Sequence, residues 1–298
     1  MVQPTLIKID RKINDEKRDF FYLFGIYKKL KDISNSEVRF DFYGCKFLRQ
    51  NAVAFLGALT RLLINQQNKV GFNLDSIDND VKANLYKNGF LRTLNLDPTI
   101  MSAGNTMPYR EDRIFDSKDY ISYLKEKWLG QNRLDLDNAE KSLVISRVIE
   151  VYNNVFEHAQ SPIGVITCGQ YYPQKHELRL TLVDLGIGIP YKVRNHFKKP
   201  DMRASQTLKW VFEHQNTTKT FYGGNGLKLL KSFITDYHGK LEIYSDKGYA
   251  CIQGGKTEDI FEDHQIGFNG TLIQISISAD SNSYSNIPPD FDSSEIFF

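Results

Sequence analysis

Cysteine is scarce. Cys45, Cys168 and Cys251 are the three in 298 residues, odd in number and without CxxC spacing. That argues against a disulfide framework or a thiolate zinc site, and for small buried hydrophobes in a reducing compartment. Net charge is nearly absent, with 38 Lys and Arg against 36 Asp and Glu. No global field therefore draws the chain to nucleic acid or to an anionic membrane, and partners must be recognised through local sites. Long apolar runs are also missing, none approaching the roughly 18 residues a membrane span needs. Residues 1–12 alternate charged and apolar side chains and lack the apolar core of a signal peptide. The expectation is a cytoplasmic protein with no membrane segment and no direct nucleic-acid footprint. What is present, 41% hydrophobic and 25% charged residues, is the composition of an ordinary globular protein with length for two domains.

The first part of the chain alternates strand and helix patterns. Residues 5–10 alternate like a half-buried strand, and residues 19–31 carry Phe20, Leu23, Phe24, Tyr27 and Leu30 at helical spacing. A strand pattern at 38–43, an apolar helix at 51–65, a short strand at 69–74 and a helix at 80–87 that stops at Asn88-Gly89 complete it. A sheet covered by helices follows from that alternation. The run Val38 to Leu48 followed by Asn51-Ala52-Val53-Ala54-Phe55-Leu56 resembles the core of a STAS domain of the anti-sigma-factor-antagonist type, over residues 1–97. The resemblance implies a phosphate-accepting hydroxyl at the start of the second helix. Here Arg49-Gln50-Asn51 stands there, with no hydroxyl, so a packing or interaction role is expected. Residues 98–116 mix Pro, Gly, Asn and Ser and read as a connector.

The second part is organised around a helix in which Leu143, Val144, Val148, Val151, Tyr152, Val155 and Ala159 make one apolar stripe. Glu150, Asn154 and His158 are spaced by four and stack on a second face, as a polar pocket wall or a solvated face would. Two strand patterns at 164–171 and 177–183 follow, the second running into Asp184-Leu185-Gly186-Ile187-Gly188. A carboxylate at a strand end followed by glycines lets a backbone pass close to a flat ligand while the acid accepts a hydrogen bond from it. Further on, Gly223-Gly224-Asn225-Gly226 precedes a helix whose exposed N–H groups would suit phosphate oxygens. Strands at 240–245, 249–253 and 270–277 close the domain.

These four pieces, in this order, resemble the ATP-binding domain shared by DNA gyrase, histidine kinases and related ATPases, the GHKL or HATPase family, over residues 117–278. The resemblance implies an α+β (Bergerat) sandwich, a mixed sheet covered by helices on one face. It implies ATP and Mg2+ as cofactors: Asp184 taking the adenine amino group with Thr271 assisting, Asn154 ligating Mg2+, and Glu150 orienting or deprotonating the nucleophile. Gly186, Gly188, Gly224 and Gly226 would offer close backbone approach, and His158 a phosphate contact or a structural role. Asn153 competes with Asn154 as the metal ligand, the spacing from Glu150 favouring Asn154.

Between Pro190 and Tyr222 lies the stretch the family uses as a lid. Its Lys192, Arg194, Lys198, Lys199 and Arg203 read as a solvated surface, and Lys219 as a contact to the terminal phosphate. Residues 279–298, with four acidic residues and no Lys or Arg, read as a flexible tail. The pairing of an ATP site with a STAS-like layer is similar to an anti-sigma-factor serine kinase and its antagonist joined in one chain. The expected function is an ATP-dependent switch with slow hydrolysis acting on a protein partner, a second copy of the chain included. A protein serine or threonine kinase and a non-enzymatic nucleotide-binding scaffold are the alternatives.

Overall fold

A computed structural model describes residues 3–99, 101, 104–130, 134, 136–213 and 226–278. The chain has an α+β fold. The first unit runs β1 (Thr5–Lys8), β2 (Lys12–Ile13), α1 (Lys17–Leu30), β3 (Glu37–Asp41), β4 (Phe47–Leu48), α2 (Gln50–Asn65), β5 (Lys69–Asn73), α3 (Asn79–Lys87) and α4 (Phe90–Thr93). Strands β1, β3 and β5 form a parallel three-stranded sheet in that order. Its inward residues Ile7, Val38 and Phe40 are buried under α1 and α2, whereas Leu6, Lys8 and Arg39 face outward. That is the period-two pattern of a half-buried strand.

The second unit runs β6 (Arg110–Asp112), α5 (Ser117–Tyr123), α6 (Asn138–Asn154), β7 (Val165–Tyr172), β8 (Glu177–Asp184), α7 (Gly188–Phe197), α8 (Ala204–Phe212), α9 (Gly226–Asp236), β9 (Lys240–Gln253) and β10 (Ile260–Ser278). Its five strands lie in the order β6-β7-β8-β10-β9, and every pairing is antiparallel. This departs from the mixed sheet that the resemblance implies. The reason lies in the connections: β7 to β8 and β9 to β10 are direct reversals, and three helices carry the chain from β8 to β9. Arg110–Asp112, inside the stretch read as connector, is the edge strand of this sheet. β9 is continuous across the expected break, and β10 begins ten residues earlier than the apolar run at 270–277.

Helices cover both faces of the five-stranded sheet, not one. Along β8, Leu178, Leu180 and Leu182 join a core with α5, α6, α8 and α9, while Val183 joins a core built with α1 and α2. On the α1 side, Phe24 stacks on Phe268 of β10 at 4.6 Å between ring centroids, Phe20 on Tyr244 of β9 at 4.3 Å, and Phe55 meets Phe268 edge-on at 5.2 Å. Burial of each such ring contributes roughly 1.5–3 kcal/mol. Helix α2 is therefore enclosed between the two sheets, with every residue from Gln50 to Leu63 buried except Arg61. At its start Arg49 lies over the Tyr172 ring at 4.7 Å, and Gln50 reaches Thr181 and Gln274 of the five-stranded sheet at 3.4 and 3.5 Å. All three cysteines are buried, and burial pushes the Cys45 thiol up to about 11. Among the described residues, no helix is long and apolar enough to cross a membrane.

Candidate functional site

Helix α6 has its start fixed by a reciprocal cap. The Glu140 N–H donates to the Asp137 carboxylate at 2.8 Å and the Asp137 N–H to the Glu140 carboxylate at 2.7 Å. Such boxes are worth about 1 kcal/mol and set the phase of everything downstream. At its end the helix widens into a single π turn, Val155–Ala159. Turns of this kind re-aim side chains near functional sites. The result is a stripe of Val151, Asn154, Val155, His158 and Ala159 along one wall of a cleft of about 840 Å³, counting the part open to solvent.

The opposite wall comes from the end of the sheet and from the helices that follow it. Asp184 closes β8, and Thr271 is its direct partner on β10. Ile189, Lys192 and Val193 enter from α7, Trp210 and Val211 from α8, Leu227 from α9 and Ile273 from β10. The lining is apolar with a few converging polar groups, as in small-molecule sites. Asp184 and Asn154, thirty positions apart in the chain, thus face one cavity.

Asp184 is 2% exposed. Burial lifts its carboxyl to about 7, against hydrogen bonds from the Gly186 N–H and from Thr271 that favour the ionised form. The Thr271 hydroxyl lies 3.2 Å from the Ser245 hydroxyl, which donates to the Gly270 carbonyl and accepts from the Ile189 N–H at 3.0 Å. Ser245 therefore ties β9, β10 and α7 together behind the acid. No motif pointed to it, because a single Ser inside a strand carries no spacing signal.

The glycines after Asp184 serve two purposes. A Cβ on Gly186 would stand 1.9 Å from the Ala159 carbonyl oxygen, so that position is held open for the end of the π turn, and Ile187 donates its N–H to the same oxygen at 2.7 Å. Gly188, at φ +74°, lines the cavity itself. Gly226 opens α9, and a Cβ there would meet Glu150 Cγ at 2.0 Å. Glu150 accordingly packs beside the first residue of α9 and does not line the cavity, although it lies four positions before Asn154. Ala159 lies at the Asp184 end and Glu150 at the α9 end, roughly 13 Å away along the helix at its ordinary rise.

Asn153, the competing carboxamide, turns outward and donates to Glu157 at 2.8 Å, whereas Asn154 faces the cavity. His158 lies on the cavity with Nε2 3.6 Å from Glu157. Of the basic residues read as a solvated surface, Lys192 lines the cavity, and Arg194 donates to Asp246 and to the Met202 carbonyl, both at 2.8 Å. Lys219 and Gly224 lie outside the described residues, as does the tail. Among the described residues, no group of three His, Cys, Asp or Glu could hold a metal ion by itself. Of the donors lining the cavity, Asn154 offers a carboxamide oxygen, a ligand type that hard cations take, beside the Asp184 carboxyl, the Thr271 hydroxyl and the His158 imidazole.

No protein-family model matches the chain, and no curated protein matches it. Among solved structures, the chain is similar to the ATP-binding domain of Francisella tularensis topoisomerase IV in complex with a small-molecule inhibitor. The TM-score is 0.27 at 14% identity, covering 51% of this chain and 70% of that one. Function has to be argued from the site's own residues.

Proposed function

We propose that the cavity between α6, α7, α8, α9 and the five-stranded sheet binds ATP with Mg2+, and that the chain hydrolyses it slowly as a switch. One observation carries the reading: a buried acceptor, Asp184, and a hard oxygen donor, Asn154, line the same cleft between apolar walls. The acid supplies what an exocyclic amino group needs, and Val155, Ile189, Val193 and Ile273 supply faces for a flat base. Asn154 would hold Mg2+, which when bound neutralises phosphate charge. Glu150 stands one turn nearer α9, where it would orient or deprotonate an attacking water. The order base, cation, nucleophile then runs along one helix.

The N-terminal unit, read as a STAS-like layer, covers the back of the sheet that carries Asp184 and Thr271, which supports reading it as an internal partner of the switch. Burial of Gln50 against that sheet, at the position where the resemblance would put a phosphate acceptor, favours an internal role over phosphotransfer to this unit. Equilibrium binding of Mg-ATP, repeated on Asp184→Ala and Asn154→Ala, tests the site. Unchanged affinity in both variants would remove it. Incubation with γ-labelled ATP separates the outputs, since free phosphate supports hydrolysis and label on a partner protein supports a kinase.

A further inference from the structure

We infer that Ser245 is a positioning residue for the base end of the cleft: it takes the Thr271 hydroxyl proton, Thr271 in turn takes any proton on Asp184, and the acid then faces the ligand as an acceptor alone. The assignment rests on the nucleotide reading above and adds to it a side chain that does not line the cavity.

The direction of each bond follows from counting protons and lone pairs. Ser245 is fully buried on β9, and its Oγ has three neighbours, the Gly270 carbonyl at 2.7 Å, the Ile189 N–H at 3.0 Å and the Thr271 hydroxyl at 3.2 Å. A hydroxyl has one proton to give and two lone pairs with which to accept. The carbonyl only accepts, so it takes the Ser245 proton. The Ile189 N–H only donates, so it takes one lone pair. The second lone pair is left for Thr271, which therefore donates. With its single proton placed on Ser245, the Thr271 hydroxyl offers Asp184 lone pairs only. The Gly186 N–H, at 2.9 Å, and the Thr271 N–H both donate to the acid. A proton on Asp184 thus has the Thr271 oxygen as its acceptor, and none is presented to the cleft. Leaving any of these buried groups without a partner is costly, which maintains the order.

The consequence is confined to the protonated acid, because an ionised carboxylate accepts with or without Ser245. Burial keeps that proton on up to about pH 7. The titratable groups near Asp184 are His158 of α6, Lys192 of α7 and Asp246 of β9, the last engaged by Arg194, while β7 and β10 place Ile166 and Thr271 there, both uncharged. Whatever His158 and Lys192 do between two pH values is common to parent and variant, and cancels when the same pair of ligands is compared on both.

The test uses ADP and IDP with Mg2+ on the full chain, since the base carries an amino group in the first and a keto oxygen at the same position in the second. Calorimetric titration of the parent should favour ADP at least roughly tenfold at both about pH 6 and about pH 8. Ser245→Ala releases the Thr271 proton to Asp184, so the proton of the neutral acid is free to turn to a keto oxygen. The preference for ADP should then fall at least about fivefold at about pH 6 and stay within about twofold of the parent at about pH 8. Thr271→Val should show the same loss confined to low pH, and adding Ser245→Ala to it should change little, because Ser245 acts through Thr271. ADP binding at the higher pH shows that a variant is folded, and if Ser245→Ala fails there, Thr271→Val carries the test. A preference unchanged at low pH, or lost equally at both pH values, overturns the assignment, as does a parent that binds both ligands alike. A parent that binds neither ADP nor IDP overturns the nucleotide reading and this inference with it, a result distinguishable from the others because it needs no variant.

Discussion

The Tyr172 hydroxyl donates to the Gln50 carboxamide oxygen at 2.6 Å across 122 positions of sequence, joining the last residue of β7 to the first residue of α2. Gln50 is 1% exposed and also reaches Gln274, which donates in turn to the buried Glu242 at 3.0 Å. The two units are thus joined by a polar chain inside an apolar interface. Gln50→Leu should destabilise the whole protein by about 1–3 kcal/mol, since Tyr172 and Gln274 lose a buried partner. Urea unfolding with an unchanged slope and a lower midpoint is the expected observation.

The aromatic half of the same interface gives a larger effect. Phe268 is 2% exposed and lies against both Phe24 and Phe55, so Phe268→Ala should cost about 3–5 kcal/mol. Near-ultraviolet circular dichroism and Trp128 fluorescence sample different cores and should lose signal together in one transition. Two separated transitions would show that the units unfold independently.

Asp184 makes stability and binding depend on pH in opposite senses. Its folded carboxyl titrates at about 7 against an ordinary 3.8, so the folded chain holds this proton more tightly than the unfolded chain. The resulting stabilisation is complete below about pH 4 and is lost as pH rises through about 7, up to roughly 4 kcal/mol in all. Asp184→Asn should remove that slope, so the stability gap between variant and parent shifts in favour of Asn from about pH 5 to about pH 8. Parallel curves would contradict the burial described for this group. Nucleotide affinity should move the other way and tighten above about pH 7, where the carboxylate accepts most strongly.

Glu150 and Gly226 should behave as one element. Glu150→Ala is expected to reduce ATP turnover by at least about a hundredfold with nucleotide affinity within a few-fold. Gly226→Ala, whose Cβ would meet the Glu150 stem at 2.0 Å, should reproduce part of that loss by displacing the carboxylate. Steady-state phosphate release alongside equilibrium binding separates the two effects.

Sequence patterns carried the elements whose side chains face one environment. Helix α6 was legible from its apolar stripe, and β1 and β3 from their alternation. β8 was harder to assign to a face because residues on both of its sides are buried, which erases the alternation that would say which side carries Asp184. β6 is three residues long and Arg110–Asp112 is polar throughout, so composition made it a connector. The early part of β10 pairs with β9 through a polar, irregular register around Asp263 and Phe268, which no apolar run announces. Lys192 looked like one of several surface bases because the sequence does not reveal that Val193 beside it is in the core. The lines of the cavity were therefore readable, and its charge was not.

Because the five-stranded sheet is roofed by helices on each side, its strands have no room to recede when a guest arrives. Any widening falls to the helices that line the cleft, α6 to α9, over a fixed floor. Amide exchange on β8 and the second half of β10 should accordingly stay slow with or without nucleotide, while amides of the cleft-lining helices slow on saturation.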